Sequence, residues 1–316
     1  MLKIQTNLRH IRSSPGFGLM QAVGHTPLLP LERIGAGLPP AVRLLAKAEW
    51  LNPGGSVKDR PAASIIRHAL KEGALGTGRV LLDSTSGNMG ISYATLCGSL
   101  GIPVTLTIPA SASSERLKVL RTLGAELHET DPLEGSDGAI LIARQMKEED
   151  TDRYFYADQY NNPANWQAHY EGTGPEIWQQ AGGSVTHFVA GMGTTGTLMG
   201  AGRFLRERNL AVRINAFQPD APFHGLEGLK HMPSAIQPGI YDPHFADETL
   251  QVSSEEAHDM TRRLAREEGL FVGVSSGGAA AIALRVAARL ERGVVVTVFP
   301  DAGYKYLSET FWGFAP

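Results

Sequence analysis

The chain has 316 residues, 42% of them hydrophobic, which is enough to bury a core in one large domain or two modest ones. Its 29 basic and 32 acidic residues give a net charge of −3, and no long run of one sign indicates nucleic acid or an anionic membrane as a partner. The single cysteine, Cys97, excludes an internal disulfide framework and has the apolar neighbours of a core residue. With no apolar signal sequence and no bilayer-length apolar run, we expect a cytoplasmic protein.

Strand-like runs and helix-like runs alternate along the chain, with glycine turns between them. The predicted strands are residues 79–83, 103–109, 125–130, 154–159, 185–191, 212–218, 270–273 and 293–299. The predicted helices are 61–70, 90–100, 114–123, 139–149, 196–208, 254–268 and 277–290. Strands without polar alternation are typical of parallel sheets covered by helices on both faces, so the pattern predicts an α/β fold. The stretch 219–248 lacks periodicity and is expected to be a surface or active-site loop.

The first segment with chemical potential is the turn before the helix at 61–70. It reads Asn-Pro-Gly-Gly-Ser-Val-Lys-Asp-Arg over residues 52–60 and contains Lys58. An amine on a rigid turn, next to the N–H groups of a helix start, is suited to form an imine with a phosphorylated aldehyde cofactor. A lysine at a helix start is, taken alone, more often a solvated cation, so the interpretation depends on three further segments.

The second segment is a glycine- and threonine-rich turn between a strand and a helix. We call residues 193–197 the phosphate cup; its members are Gly193, Thr194, Thr195, Gly196 and Thr197. Glycines let the backbone approach an anion closely, and the free N–H groups of the helix start favour negative charge. The turn also matches the G-x-G-x-x-G dinucleotide fingerprint, with Asp220 near the expected ribose ligand, so by itself it leaves a nicotinamide cofactor open.

The other two segments also join a strand to a helix. The substrate loop, residues 84–90, reads Ser-Thr-Ser-Gly-Asn-Met-Gly, and its hydroxyls, amide and N–H groups are suited to hold a carboxylate. A cluster of helix N-cap residues would look the same. The turn at 273–278 would present a neutral hydroxyl from Ser275 to a cofactor, or would simply cap the following helix.

Together these segments resemble the fold type II pyridoxal phosphate family and, within it, the cysteine synthases (O-acetylserine sulfhydrylases), most nearly those of the B type. The similarity covers nearly the whole chain, with further matches at 24–28, 158–163, 172–178 and 306–308. It implies a two-lobed, tryptophan synthase β-like α/β fold in which each lobe is a mostly parallel sheet covered by helices. Residues 1–48 and 153–316 would form the larger, phosphate-binding lobe, and residues 49–152 the smaller, mobile, substrate-binding lobe.

The resemblance also implies pyridoxal 5′-phosphate as the cofactor and assigns its contacts. Lys58 would hold it through an imine, Asn88 would meet its 3′-oxygen, the phosphate cup its phosphate, and Ser275 its pyridine nitrogen. A neutral hydroxyl at the nitrogen leaves a weaker electron sink than a carboxylate, which favours β-elimination and β-replacement over transamination. No metal site is expected, since His224 and His231 lack zinc-ligand spacing and a third partner.

The implied substrate contacts are Thr85, Ser86, Gly87, Met89 and Gln159, with Lys230 at the mouth of the site as a point charge for larger anionic ligands. Two departures from the family pattern bear on this assignment. Met89 stands where threonine is usual, and residues 224–231 differ from the commonest loop. Lys230 has an alternative interpretation as a solvated surface lysine. Tyr304, Lys305 and Tyr306 are expected either to line the entrance or to pack as an aromatic pair.

The implied reaction is β-replacement on O-acetyl- or O-phospho-L-serine by sulfide, thiosulfate or a thiocarboxylate. It would pass through an aminoacrylate intermediate and give L-cysteine or S-sulfocysteine. A cystathionine- or diaminopropionate-forming synthase, a β-eliminating lyase and a non-catalytic scaffold are the alternatives, while a nicotinamide dehydrogenase would leave Lys58, Asn88 and Ser275 unexplained. The resemblance further implies a homodimer, with serine acetyltransferase or a sulfur-carrier protein as candidate partners.

Overall fold

Strands and helices alternate through residues 17–76, 78–85 and 87–313, which are those that the computed structural model describes. The strands are β1 (Leu28–Pro30), β2 (Val42–Ala48), β3 (Val80–Ser84), β4 (Val104–Pro109), β5 (Glu126–Thr130), β6 (Tyr154–Tyr156), β7 (His187–Gly191), β8 (Arg213–Pro219), β9 (Glu248–Val252) and β10 (Gly293–Phe299). The α-helices are α1 (Phe17–Gln21), α2 (Asp59–Lys71), α3 (Asn88–Leu100), α4 (Ser114–Thr122), α5 (Gly135–Glu149), α6 (Pro163–Ala168), α7 (Gly174–Gln180), α8 (Gly196–Arg208), α9 (Ser254–Arg263) and α10 (Val274–Ala287).

The strands form two sheets. The larger has the order β1-β2-β10-β7-β8-β9, and the smaller has the order β5-β4-β3-β6. All pairings are parallel except that of β1 with β2 at one edge. The predicted α/β class with mostly parallel sheets is confirmed.

Helices cover the sheets because the strands are apolar on both faces; every residue of β4 and β10 is buried. One core cluster packs α9 and α10 against one face of the larger sheet, and a second packs α7 and α8 against the other. A third cluster joins α2 and α3 to the smaller sheet and includes Cys97. Burial raises the pKa of the Cys97 thiol to about 12, in keeping with the core position expected for it.

Several parts of the secondary structure differ from the sequence prediction, and α1, β1, α6, α7 and β9 have no predicted counterpart. The strand predicted at 270–273 is wrong: this segment makes only an isolated bridge, between Val272 and Ala302, before α10 begins. The helix predicted at 254–268 is α-helical to Arg263 and continues as a π-helical turn at Leu264–Glu268. Strand β2 was not predicted because Arg43 and Lys47 interrupt its apolar pattern, although Lys47 is fully buried.

The division into lobes stays a prediction, with two details that the described residues change. Strand β6 pairs with β3, so the smaller sheet extends beyond the boundary predicted at residue 152. Met20 of α1 packs in the core cluster of the smaller sheet rather than with the larger one. No helix in the described part of the chain is long and apolar enough to cross a membrane.

Candidate active site

A cavity of about 640 Å³ opens between the two sheets. Its walls are the segments that follow the carboxyl ends of strands in both sheets, which is where ligands bind in parallel α/β folds. The lining includes most of the predicted site residues, namely Lys58, Thr85, Asn88, Met89, Gln159, Gly193, Thr194, Thr195, Gly196, Thr197, Lys230 and Ser275. Gly87 is not among the lining residues, and Ser86 lies outside the described residues.

Lys58 lies immediately before α2, on a turn that is fixed to the end of β10. The Val57 N–H donates to the Pro300 carbonyl at 2.8 Å. Within the described residues the Lys58 amine has no hydrogen-bond or ion-pair partner. Burial lowers the pKa of Lys58 to about 8, and the nearby Asp301 carboxylate opposes part of this shift. A lysine with a lowered pKa has a much larger neutral fraction near physiological pH than an exposed lysine, and this suits it to act as a nucleophile and a base.

The phosphate cup connects β7 to the start of α8. Thr195 has a positive φ of 67°, an uncommon conformation for a residue with a side chain and one that occurs often at functional sites. A side chain at Gly193 would collide with the Gly228 carbonyl, so this position needs glycine. The Thr195 hydroxyl is buried and has no hydrogen-bond partner in the described structure. The cup therefore presents a free hydroxyl together with the N-terminus of a thirteen-residue helix.

The substrate loop is held in place by its own threonine. The Thr85 hydroxyl accepts hydrogen bonds from the Gly87 N–H at 2.9 Å and the Gly90 N–H at 3.1 Å, so it stabilises the start of α3. This is the N-cap interpretation of the loop, and it coexists with the cavity-lining position of Thr85. Gly87 has a φ of 143°, and a side chain there would collide with Arg116. The absence of a side chain at Gly87 thus allows the loop to pack closely against Arg116, although Gly87 does not itself line the cavity.

Gln159 connects the substrate loop to the phosphate cup. Its Nε2 donates to the Ser84 carbonyl at 2.6 Å, and its own carbonyl accepts from Asn165 Nδ2 at the same distance. Asn165 Nδ2 also donates to the Thr194 hydroxyl at 3.1 Å. Asp158, just before Gln159, has a positive φ of 46°, which is further strain at the site.

Asp83, at the end of β3, lies behind this connection and is fully buried. It accepts hydrogen bonds from the Tyr93 hydroxyl at 2.9 Å and from the Gln159 N–H at 3.3 Å. Burial raises the pKa of Asp83 to about 8, against the opposing effect of the Tyr93 hydrogen bond. Asp83 therefore supports the loop from the core without contacting the cavity.

Two ion pairs cross the mouth of the cavity. Lys230 Nζ lies 2.6 Å from Asp137 Oδ1, above the ring of Tyr160, and its side chain is only 6% exposed. Arg116 of α4 pairs with Glu227. The solvated-lysine interpretation of Lys230 is therefore wrong: the side chain is buried at the mouth, and its charge is matched by a carboxylate from the start of α5.

Asn88 and Ser275 lie at the starts of α3 and α10. The Ser275 side chain is buried at the wall of the cavity, where a small hydroxyl leaves room for a ring. Asn88 Nδ2 donates to Asp301 Oδ2 at 2.7 Å, and Asn88 Oδ1 accepts from Lys305 Nζ at 2.8 Å. Lys305 and Tyr306 are buried, so of the three residues expected to line the entrance or pack together only Tyr304 is exposed.

Sequence reasoning missed several residues that shape the site: Asp83, Arg116, Asp137, Asn165, Glu227, Asp301 and the contacts of Lys305. Asp301 and Asn165 had a weak signal, because each lies after a predicted strand of a parallel sheet, Asp301 two residues after the strand at 293–299 and Asn165 six residues after the strand at 154–159. The mouth ion pairs had none, since their partners are joined only by the fold.

The residues present fit pyridoxal 5′-phosphate. The buried, unpartnered Thr195 hydroxyl and the α8 N-terminus suit its phosphate, and the Lys58 amine suits its aldehyde. The cavity volume lies within the range of about 300–1,000 Å³ that is usual for small-molecule sites. The donor set at the cavity therefore matches each polar end of this cofactor.

Comparison with known proteins agrees with this geometry. Residues 19–301 match the family model described as pyridoxal-phosphate dependent enzyme. The chain is 50% identical over 295 residues to the cysteine synthase of Aquifex aeolicus, covering 92% of this chain and 90% of that protein. It is 43% identical to cysteine synthase B of Escherichia coli, covering 93% and 96%.

A solved structure shows the same fold. The O-acetylserine dependent cystathionine beta-synthase of Helicobacter pylori superposes with a TM-score of 0.88 at 33% identity, covering 99% of this chain and 100% of that one. The family match, the two relatives and the superposition each extend over nearly the whole chain, and they agree with the cavity and its donor set. The chain therefore belongs to the pyridoxal-phosphate dependent enzymes, in the group of the cysteine synthases.

Proposed function

We propose that this protein is a cysteine synthase that replaces the β-substituent of an O-activated L-serine with sulfide to give L-cysteine. The proposal rests on the Lys58 amine. Burial lowers the pKa of this amine, and the amine has no hydrogen-bond or ion-pair partner among the described residues. It faces the same cavity as the phosphate cup and the substrate loop. The identity to named cysteine synthases supports the same reaction.

When bound, pyridoxal phosphate supplies the electron sink that stabilises negative charge at the substrate Cα. The phosphate cup and Ser275 would hold the cofactor, and Asn88 would donate to its 3′-oxygen. Thr85, Ser86 and Gln159 hold the substrate carboxylate at the N-terminus of α3, where the helix dipole favours negative charge. Met89 contributes an apolar wall to the same pocket.

The Lys58 amine moves the proton. It accepts the proton from Cα, the activated oxygen leaves Cβ as its carboxylate or phosphate anion, and sulfide forms the new bond at Cβ. Lys58 then returns a proton to Cα, so one lysine acts as base and as acid. Because the amine is already in the cavity, both transfers are effectively intramolecular.

O-acetyl-L-serine is the donor that the mouth of the cavity favours. Lys230 would attract the dianion of O-phospho-L-serine, but its charge is already matched by Asp137 at 2.6 Å. A phosphate group would have to displace this carboxylate from a buried ammonium, which costs part of the Coulomb gain. A neutral acetyl ester meets no such competition.

Cystathionine formation is the second candidate. It is favoured by the apolar Met89 in place of the usual hydroxyl and by the similarity to the Helicobacter pylori cystathionine beta-synthase. It differs only in the sulfur nucleophile, which would be the thiol of homocysteine. Assays with sulfide and with homocysteine, each at equal concentration, separate the two by product.

A homodimer in the cytoplasm, with small-molecule substrates and with serine acetyltransferase or a sulfur-carrier protein as a partner, completes the proposal. These features rest on the similarity to the B-type cysteine synthases. Light scattering of the purified protein tests the dimer, since a mass near that of one 33.9 kDa chain would contradict it.

The central experiment is a visible absorbance spectrum of the purified protein, followed by titration with O-acetyl-L-serine and, separately, with O-phospho-L-serine. We expect a yellow protein whose band moves to longer wavelength at a lower concentration of the acetyl ester. Adding sulfide should restore the first band and release L-cysteine. A protein that stays colourless after pyridoxal phosphate is added would overturn the proposal.

A further inference from the structure

Lys305 is a buried cation that contacts two segments of the site. It lies on the 3-10 turn Gly303–Tyr306, just after β10, and is 8% exposed. Its ammonium donates to Asn88 Oδ1 at 2.8 Å and to the Gly55 carbonyl at 3.0 Å. Gly55 belongs to the turn that leads to Lys58. One ammonium therefore joins the turn that carries the reactive lysine to the first residue of α3.

The Asn88 carboxamide is held from both ends. Its oxygen accepts from Lys305, and its nitrogen donates to Asp301 Oδ2 at 2.7 Å. Asp301 is fully buried and also accepts from the Tyr306 hydroxyl at 2.8 Å. An ammonium has only donors and a carboxylate only acceptors, so these two partners permit one orientation of the amide and forbid the flipped one.

The orientation leaves one N–H bond of Asn88 for the cavity. An amide nitrogen carries two hydrogens, and Asp301 takes one of them. Asn88 lines the cavity, so the second hydrogen is the one available to a ligand there. In the flipped orientation the carbonyl oxygen would replace that donor and would repel an anionic ligand atom.

We propose that Lys305 and Asp301 are positioning residues that fix the Asn88 carboxamide so that it donates to the 3′-oxygen of bound pyridoxal phosphate. This inference rests on the proposed function in two respects: it assumes that pyridoxal phosphate is the cofactor and that Asn88 contacts its 3′-oxygen. A donated hydrogen bond keeps the 3′-oxygen deprotonated.

The test is the substitution Lys305→Met, with readouts that need no substrate. The cofactor should dissociate about ten-fold more readily, which corresponds to one charge-assisted hydrogen bond. Its absorbance should move toward the shorter-wavelength form in which the proton lies on the 3′-oxygen. Lys305→Arg keeps the cation and its donors and should restore most of the wild-type spectrum.

A double-mutant cycle shows whether Lys305 acts through Asn88. In the background of Asn88→Ala, the substitution Lys305→Met should change neither the spectrum nor the cofactor affinity further. An equal change in both backgrounds would overturn the proposal, as would a wild-type spectrum in Lys305→Met. Lys305→Leu, which also removes every donor, serves the same purpose if the methionine variant does not fold.

The matched control is Lys47→Met. Lys47 is also fully buried, and it forms an ion pair with Glu176 at 2.7 Å outside the cavity lining. This variant should lose thermal stability without the spectral shift, which separates general destabilisation from positioning. A protein that binds the cofactor normally but makes no cysteine would contradict the proposed function and leave the spectral test intact.

Discussion

The phosphate cup and the mouth of the cavity are built in opposite ways. The cup is one run of five residues whose backbone N–H groups and hydroxyls are suited to bind an anion directly. The mouth is made of side chains from distant segments, with Lys230 paired to Asp137 and Arg116 to Glu227. In the function proposed above, binding of the cofactor phosphate is therefore a local property of the chain, whereas selection of the substrate depends on tertiary contacts.

The largest expected effect on activity comes from substitution of Lys58, which lines the same cavity as the cup and the mouth. Lys58→Ala should remove the imine absorbance and lower cysteine formation by about 10⁴-fold, because it removes the attachment point and the base together. Lys71→Ala, at the exposed end of the same helix, is the control and should behave as wild type. Absorbance and product assays check both variants; substantial turnover by Lys58→Ala would show that another group moves the proton.

A substitution that displaces the backbone of the phosphate cup should weaken cofactor binding. Gly193→Ala places a methyl group against the Gly228 carbonyl, so the cup must shift, and we expect a loss of about 1–3 kcal/mol of stability and weaker cofactor retention. Gly98→Ala on α3 has open space around it and should be neutral or stabilising. Equilibrium dialysis and thermal unfolding measure the two effects. Equal cofactor affinity in both variants would mean that the cup does not hold the phosphate.

Substitutions at the mouth should change the selectivity for the substrate without changing cofactor binding. Asp137→Asn frees the charge of Lys230, and we expect the KM for O-phospho-L-serine to fall about ten-fold, or roughly 1.4 kcal/mol. The KM for O-acetyl-L-serine should stay nearly constant, and Lys230→Met should reverse the gain when combined with Asp137→Asn. Steady-state kinetics with both esters provide the measurement. A parallel change for both donors would show that the pair closes the site rather than selects the substrate.

The smallest effect concerns the pKa of Lys58. Only the neutral amine reacts with an aldehyde, and burial lowers this pKa to about 8. The rate at which apoprotein takes up pyridoxal phosphate should therefore rise with pH and level off above about pH 9, well below the range for an exposed lysine. Asp301 raises the pKa of Lys58, so Asp301→Asn should move the midpoint to lower pH.

The control for this pH profile is a simple exposed lysine derivative in the same buffers, because the cofactor has ionisations of its own. Stopped-flow absorbance gives both rates. If the rate for the apoprotein has the same pH profile as the rate for the free amine, the protein does not lower the pKa of Lys58 and the prediction is wrong.

The sequence by itself determined the features that neighbouring residues encode. The apolar strand runs predicted the parallel α/β class. The cup and the substrate loop were visible as strand-to-helix turns of characteristic residues, and the Lys58 turn as a glycine turn before a helix. The carboxyl ends of parallel strands share an edge within one sheet, but the cup follows β7 of the larger sheet and the substrate loop follows β3 of the smaller one, so their meeting at one cavity depends on how the two sheets pack. Here local conformation and function depend on the same few consecutive positions.

The tertiary structure alone decided which distant side chains pair. Lys305 and Asn88 are 217 residues apart, and Lys230 and Asp137 are 93 apart, so no periodicity or spacing connects them. Residues 304–306 were expected either to line the entrance or to pack as an aromatic pair, and Lys305 is a buried donor to Asn88. The physical reason is that a buried charge takes whichever partner the packed fold brings within hydrogen-bond distance, and that partner is set by the fold rather than by the neighbouring sequence.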